Sequence, residues 1–191
     1  MPRPVPERPR RTASRRLPAG RRRLLALAVA ITLLPGREAG AADTTPRDLQ
    51  LIGQVLGFLE HPPTGAVEVG LLYAPAARVE AEQLAQRFGD GVRAGGVTLR
   101  PRLLPVAEIG TAAPRVLLLT NSALPEAAAV ARAVAGRGIM TVSPDPALID
   151  GGLAVLAVRS SPRVEILVSR AAAQSAGLSF AGAFRMMIQE R

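Results

Sequence analysis

Residues 67–74 (VEVGLLYA) and 116–120 (VLLLT) constrain the fold of this chain more than any other feature. Both are short and almost continuously apolar, the pattern of a strand buried on both faces rather than one that turns alternate side chains to water. Around them run segments with apolar residues three and four apart. Ala81, Leu84, Ala85 and Phe88 share one side of a helix that Gly89 ends, and Ala127, Val130, Ala131 and Val134 one side of another that Gly136 ends, with Pro125 and Glu126 in its first turn. Residues 139–142 supply the next short strand. Strands that need cover on both faces, alternating with helices that must bury one, form the repeating unit of a mostly parallel sheet.

The flanks complete the pattern. Leu49, Ile52, Leu56 and Leu59, with Leu51, Val55 and Phe58 beside them, give a wide apolar helix face that opens at Pro46 and runs to His61-Pro62-Pro63. Close packing on the sheet accounts for both Gly53 and Gly57. Residues 97–104 form a strand interrupted by Pro101, which has no N–H to give a ladder and so belongs at an edge or an irregular stretch. Beyond Asp150, two runs, 153–158 and 164–168, are separated only by RSSPR, too short for a crossover, so they predict an antiparallel hairpin. Ser169 can cap a short helix ended by Gly177; Ser179 can cap a last one packed through Phe180, Phe184, Met187 and Ile188. The expected fold is a three-layer α/β domain with a mostly parallel sheet and an antiparallel C-terminal hairpin at its edge.

Net charge is +9, but residues 1–41 hold ten of the 24 basic residues and two of the 15 acidic ones, leaving 14 against 13 in the rest. A basic nucleic-acid footprint on the folded part is thereby excluded. The arginine-rich start, the apolar run at 24–34 (LLALAVAITLL) and the small residues from Ala39 to Ala42 have the three parts of a secretory signal. Eleven apolar residues are about half of the ~20 that span a bilayer, so a cleaved leader (1–41) is favoured over a retained anchor. Arg15-Arg16 lacks a good twin-arginine continuation, which favours the general secretory route. The remainder, 42–191, reads as one exported domain. It has no cysteine, so its stability comes from packing without disulfides.

Chemistry-bearing residues are sparse. His61 is the only histidine, too few for a histidine-rich metal site or a His-dependent triad; before two prolines it reads as packing or turn. Ser122, Ser143 and Ser175 lack the glycines of a nucleophile elbow, and Gly89-Asp90-Gly91 and Gly95-Gly96 fit turns rather than phosphate loops. No cofactor or metal is expected. Tyr73, Asn121, Ser122, Ser143 and Asp145 fall where the parallel strands deliver their C-terminal ends, the place where open α/β sheets bind ligands or partners. The same residue types also cap helices and form turns. Glu165 stands on the hairpin, away from that mouth, as a surface acid or as the partner of Arg159 or Arg163; a catalytic base would need a second group that the sequence does not supply.

Three stretches carry a resemblance. Phe58-Leu59-Glu60-His61-Pro62, Gly138-Ile139-Met140-Thr141-Val142-Ser143 followed by Gly151-Gly152, and Val164-Glu165-Ile166-Leu167 through Ala171-Ala172 to Ala176-Gly177-Leu178 resemble the corresponding segments of the YfiR/HmsC-like family. The resemblance implies a periplasmic, non-catalytic regulator, expected to be dimeric, whose partner is an inner-membrane diguanylate cyclase held in check by protein–protein contact. On that view Glu165 belongs to a structural signature. This chain departs at His61, where the family has tryptophan, at Ser169, where it tends to have asparagine, and in lacking the cysteines of many members, so a disulfide redox role does not carry over. The rival expectation is a small-molecule binder resembling half of a periplasmic solute receptor, using the strand-end residues; a hydrolase ranks last.

Overall fold

The structure, a computed structural model, describes residues 44–185 and 189–190. The leader and the expected packing residues Met187 and Ile188 lie outside the described residues. The elements run α1 (Pro46–Leu56), β1 (Gly65–Tyr73), α2 (Arg78–Gln86), β2 (Val92–Ala94), β3 (Val97–Pro105), β4 (Val116–Leu119), α3 (Ala127–Val134), β5 (Met140–Val142), α4 (Ala147–Asp150), β6 (Leu156–Arg159), β7 (Glu165–Val168), α5 (Arg170–Ala176), α6 (Gly182–Arg185) and β8 (Gln189–Glu190). Among the described residues no helix is long and apolar enough to cross a membrane.

The eight strands lie in the order β2-β3-β1-β4-β5-β6-β7-β8. From β3 to β6 every neighbour is parallel, and the antiparallel pairs β2–β3 and β6–β7 stand at the two sides. Within β1 and β4 the apolar runs divide by parity. Val67, Val69, Leu71, Tyr73, Val116 and Leu118 enter one core with α1, α2 and α5; Leu72, Leu117 and Leu119 enter the other with α3. Residues such as Leu71 and Leu117 are 0% exposed, and full burial of one such side chain contributes about 1.5–3 kcal/mol. The three-layer, mostly parallel α/β architecture is the one the sequence predicts.

Several local expectations change. Helix α1 starts as expected, with Thr45 as N-cap in a reciprocal capping box with Asp48 and Pro46 in the first turn. It stops at Leu56, however, because Leu59 leaves the helix to form an antiparallel bridge with Phe180. The last helix starts later than expected, after that bridge: among the described residues it covers Gly182–Arg185, and Gln189–Glu190 pair with β7. The hairpin is therefore not quite the rim of the sheet, since β8 lies beyond it. Strand β3 is regular throughout and paired along its whole length with β1, yet β2 accompanies it only as far as Leu99. Pro101 thus sits where the outer side of β3 has no partner strand, which is how a proline is tolerated there.

Of the two glycines in α1 and its cap, only Gly53 is explained by close packing. A Cβ there would lie 2.5 Å from the Ala94 Cβ of β2, a rigid neighbour that cannot swing aside. At Gly57 the nearest atom would be the Gln54 carbonyl of the same helix, at 3.2 Å, and the residue is exposed. On the opposite layer, Arg137 follows α3 and donates to the carbonyls of Ile109 (2.9 Å), Ala133 (3.0 Å) and Ala112. One planar guanidinium thereby fastens the β3–β4 connection to the end of a helix, where a cation also complements the dipole.

Two expectations follow for chemical denaturation. Gly53→Ala should lower stability by roughly 1–3 kcal/mol although alanine is the better helix former by about 1 kcal/mol, while Gly57→Ala stays within about 0.5 kcal/mol of the parent. Arg137→Ala should cost about 1–3 kcal/mol by leaving carbonyls unsatisfied, and Arg137→Lys should recover only part of it, because an ammonium cannot reproduce the fork.

Candidate functional site

The C-terminal ends of β1, β4 and β5 bring the expected residues to one side of the sheet. Tyr73 and Ser143 are buried, Ser122 and Asp145 are half-buried, and Asn121 is exposed. Their polar groups are largely engaged in holding the strand ends. The Ser122 hydroxyl accepts from Ala74 N (3.3 Å) and pairs with the Thr120 hydroxyl (2.9 Å), tying the end of β4 to the end of β1. Ser143 Oγ donates to the Asp145 carbonyl (3.0 Å) and accepts from Asp145 N (2.9 Å), while Asp145 Oδ1 accepts from Ala147 N (2.9 Å) at the start of α4. These are turn and capping geometries.

Sequence reasoning missed Glu80. It lies in the first turn of α2, and its carboxylate accepts from Asn121 N (2.7 Å) and Ser122 N (3.2 Å) where a 3-10 turn, Asn121–Glu126, opens. Exposed backbone N–H groups at such a turn attract anions. Here the protein's own carboxylate occupies them. Glu80, Gln83 and Arg87 come from one side of α2, at spacings of three and four, and with Thr120, Asn121 and Pro144 line a cleft of about 70 Å³. That is well below the ~300 Å³ at which small-molecule pockets begin. Arg87 also donates to the Thr44 carbonyl, closing one wall, and Asn121 is the one expected site residue on the lining. On the outer side of α2 the Glu82 carboxylate, hydrogen-bonded to Arg78 at 2.8 Å, raises the Arg78 guanidinium above its ordinary value.

Glu165 is nearer this end than the sequence suggested. Because β6 runs parallel to β5, the tip of the β6–β7 hairpin projects from the same side as the strand C-termini, and Glu165 lines a small crevice with Pro144, Pro146, Arg159 and Leu167. Arg159 and Glu165 face each other in register, yet among the described residues neither side chain, nor that of Arg163, has an ion-pair or hydrogen-bond partner. The expected salt bridge is not formed.

His61 lies at the opposite end, before β1. It is exposed, and with Leu59, Arg115, Gly138, Gly177 and Leu178 it lines a groove of about 180 Å³. Among the described residues no three His, Cys, Asp or Glu side chains converge as a metal site would require.

The stretches that carry the family resemblance meet at this second end. Glu60 N donates to the Ser179 carbonyl (2.9 Å), Ala181 N to the Phe58 carbonyl (2.8 Å) and Gly138 N to the Ala176 carbonyl (2.7 Å). Phe58 stacks on Phe184 with ring centroids 4.7 Å apart, and Phe180 tilts against the same ring at 5.3 Å. Ser169 Oγ accepts from Ala172 N, and at Gly152 (φ +66°) a Cβ would lie 3.9 Å from the Ala171 Cβ and 4.0 Å from Ser169 Oγ. Segments more than 100 residues apart in sequence therefore form one seam, which stitches the end of the chain to the end of α1.

The model of the YfiR/HmsC-like family matches residues 56–183, the span that this seam brackets. No curated protein matches the sequence. Among solved structures, a conserved domain protein from Vibrio cholerae O1 biovar El Tor strain N16961 has the same fold, with a TM-score of 0.51 at 12% identity over 76% of this chain. The match spans 59% of that protein, and at such low identity the likeness is one of fold. With the family model covering two-thirds of its length, this chain belongs to the YfiR/HmsC-like family.

Proposed function

We propose that this protein is a non-catalytic regulator of cyclic-di-GMP signalling that works by contact, restraining a membrane-bound diguanylate cyclase from the periplasmic side. The observation that carries this reading is membership of a family of periplasmic regulators in that pathway. Two features of the fold support it. At the strand ends Thr120, Ser122, Ser143 and Asp145 are engaged in internal hydrogen bonds, and the protein's own Glu80 carboxylate sits on the turn that opens at Asn121. The signature residues build a structural seam around aromatic packing, an arrangement suited to presenting a rigid surface to another protein.

A second reading is small-solute capture at the strand ends, favoured by the cleft between α2 and Asn121 with Gln83 and Arg87 on its wall. In this reading Tyr73, Ser122, Ser143 and Asp145 shape the mouth and Asn121 meets the ligand. Both readings place the working form at residues 42–191, after export and removal of residues 1–41.

Three measurements check these statements. Removing the gene should raise cellular cyclic-di-GMP and increase biofilm, and re-expression of the chain should reverse both; an unchanged nucleotide level would remove the regulatory reading. A thermal-shift screen against periplasmic metabolites should leave the melting temperature in place, whereas a true ligand at 100 times its Kd would stabilise by about 2.7 kcal/mol and favour solute capture. N-terminal sequencing of the exported protein should begin near Ala42; a retained leader would overturn the export step.

A further inference from the structure

Parallel strands are seldom left bare on either face, yet one corner of this sheet is. Register places Ala66 of β1 beside Thr98 of β3 and Thr98 beside Arg93 of β2, then Glu68 beside Arg100 and Gly70 beside Arg102. These positions share the face on which Leu72 and Leu104 enter the core with α3. Cover on that face ends at Gly70, where Pro114, Leu104 and Leu117 close over the strand. Toward the start of the strands, Ala66, Glu68, Arg93 and Arg100 are exposed, as is Arg102, and Thr98 is half-buried. Their neighbours of opposite parity, Val67, Ala94, Val97 and Leu99, are buried on the α1 side.

The bare corner carries charge of one sign. Arg115, one residue before β4, lines an open concavity of about 560 Å³ with Ala66, Glu68 and the exposed His61. It completes a set of four arginines, Arg93, Arg100, Arg102 and Arg115, around a single acid. Glu68 accepts from Arg102 at 3.1 Å. Among the described residues, Arg93, Arg100 and Arg115 have no ion-pair or hydrogen-bond partner. Since the charges of the domain as a whole nearly cancel, this concentration is a local one.

We propose that this corner is a docking surface for an acidic segment of a partner protein. It gives the contact proposed above its chemistry and to that extent rests on the regulatory reading. Charge complementarity selects the occupant. Arg100 and Arg102 stand two residues apart on β3, so their side chains leave the sheet about 6.6 Å apart, the spacing at which alternate carboxylates leave an extended chain. Each guanidinium offers a planar fork that holds a carboxylate through two N–H groups. The chain's own leader is not a rival occupant, because residues 1–41 carry ten arginines against two acids and are repelled by the corner. A uniformly anionic bilayer fits less well than a protein: Glu68 stands amid the arginines and would face the lipid phosphates, whereas in a protein contact it orients Arg102. Nor does the corner hold one of the strongly exposed large apolar side chains, which an inserting surface would use. The contact is therefore polar and weakens as salt rises.

Two double variants with the same change of net charge test the assignment. Arg100→Glu with Arg115→Glu reverses the corner, while Arg47→Glu with Arg163→Glu reverses two exposed arginines that also lack partners, near the start of α1 and the tip of the β6–β7 hairpin. The protein is purified after expression of the full-length chain, and circular dichroism reports whether each variant is folded. Titrated with poly-L-glutamate at low ionic strength, the parent should bind, the corner variant should bind about tenfold or more weakly, and the control should stay within about twofold of the parent. Should the reversal fail to fold, Arg100→Gln with Arg115→Gln takes its place, with an expected loss of about threefold. Vesicles of phosphatidylglycerol should bind the parent more weakly than polyglutamate does. In cells lacking the gene, the control should restore the parent's cyclic-di-GMP level, and the corner variant, at equal abundance, should leave it where the deletion does. Equal binding of polyglutamate by both double variants, or tighter binding to the vesicles, would overturn the proposal. The two readings fail separately. A deletion without effect on cyclic-di-GMP removes the regulatory reading and leaves the surface to be decided by the titration; a corner variant that restores the parent's level, where the deletion had raised it, removes the surface and keeps the regulator.

Discussion

The structure depends on the requirement that a parallel sheet be covered on both faces. Five consecutive strands, β3, β1, β4, β5 and β6, run in one direction, and the connections between them carry the helices across the sheet. β1 and β4 at the centre are therefore apolar over the stretch where they pair, residues 69–72 and 116–119, and their alternate side chains enter two separate cores. At two tight contacts, one between helix and sheet and one between neighbouring strands, a side chain is dispensed with. Gly53 admits Ala94, and a Cβ at Gly70 would lie 2.8 Å from Leu117, so the helix layer and the central strands are set by contacts of near van der Waals closeness.

A sheet of this kind concentrates polar residues at the carboxyl ends of its strands, and in many α/β proteins those residues meet a ligand. Here most of them are engaged from within the chain: Ser122 and Thr120 join two strand ends, Ser143 and Asp145 shape the turn into α4, and Glu80 accepts from the N–H groups of Asn121 and Ser122. The other end of the sheet holds the seam that the family signature builds, with Phe58, Phe180 and Phe184 against one another and the chain's last turns hydrogen-bonded to the end of α1. Both ends are thus held by contacts made within the chain.

The sequence read alone was informative wherever a residue's role is set by near neighbours. Thr45 and Pro46 start α1, Ser169 caps α5, Gly177 ends it at φ +75°, and the periodicities of α2 and α3 bury Ala81, Leu84, Ala127, Val130 and Val134, with Ala85 and Ala131 half-buried beside them. Pro101 correctly marked a stretch of β3 without an outer partner, although the strand itself is regular and lies inside β2. The family segments were legible because their residue order survives in short runs. Less accessible were the ends of α1 and α6. Leu59 and Phe180 have the apolar spacing of helix residues, and only their bridge across 121 positions of sequence makes them strand-like.

Composition and local pattern thus determined the layer architecture, the direction of most strands, the near-neutral character of the described domain and the absence of a thiol chemistry. Tertiary structure alone decided that Glu80 sits on the backbone of Asn121 and Ser122, that Arg137 gathers carbonyls from the β3–β4 connection and from α3, that Gly53 and not Gly57 is fixed by packing, and that Glu165 stands beside the strand ends without an ion-pair partner among the described residues. The division has a physical cause. Helix and strand patterns repeat every two to four residues and can be read in a short window, whereas a hydrogen bond or an ion pair between residues tens of positions apart depends on distances that exist only once the sheet has assembled.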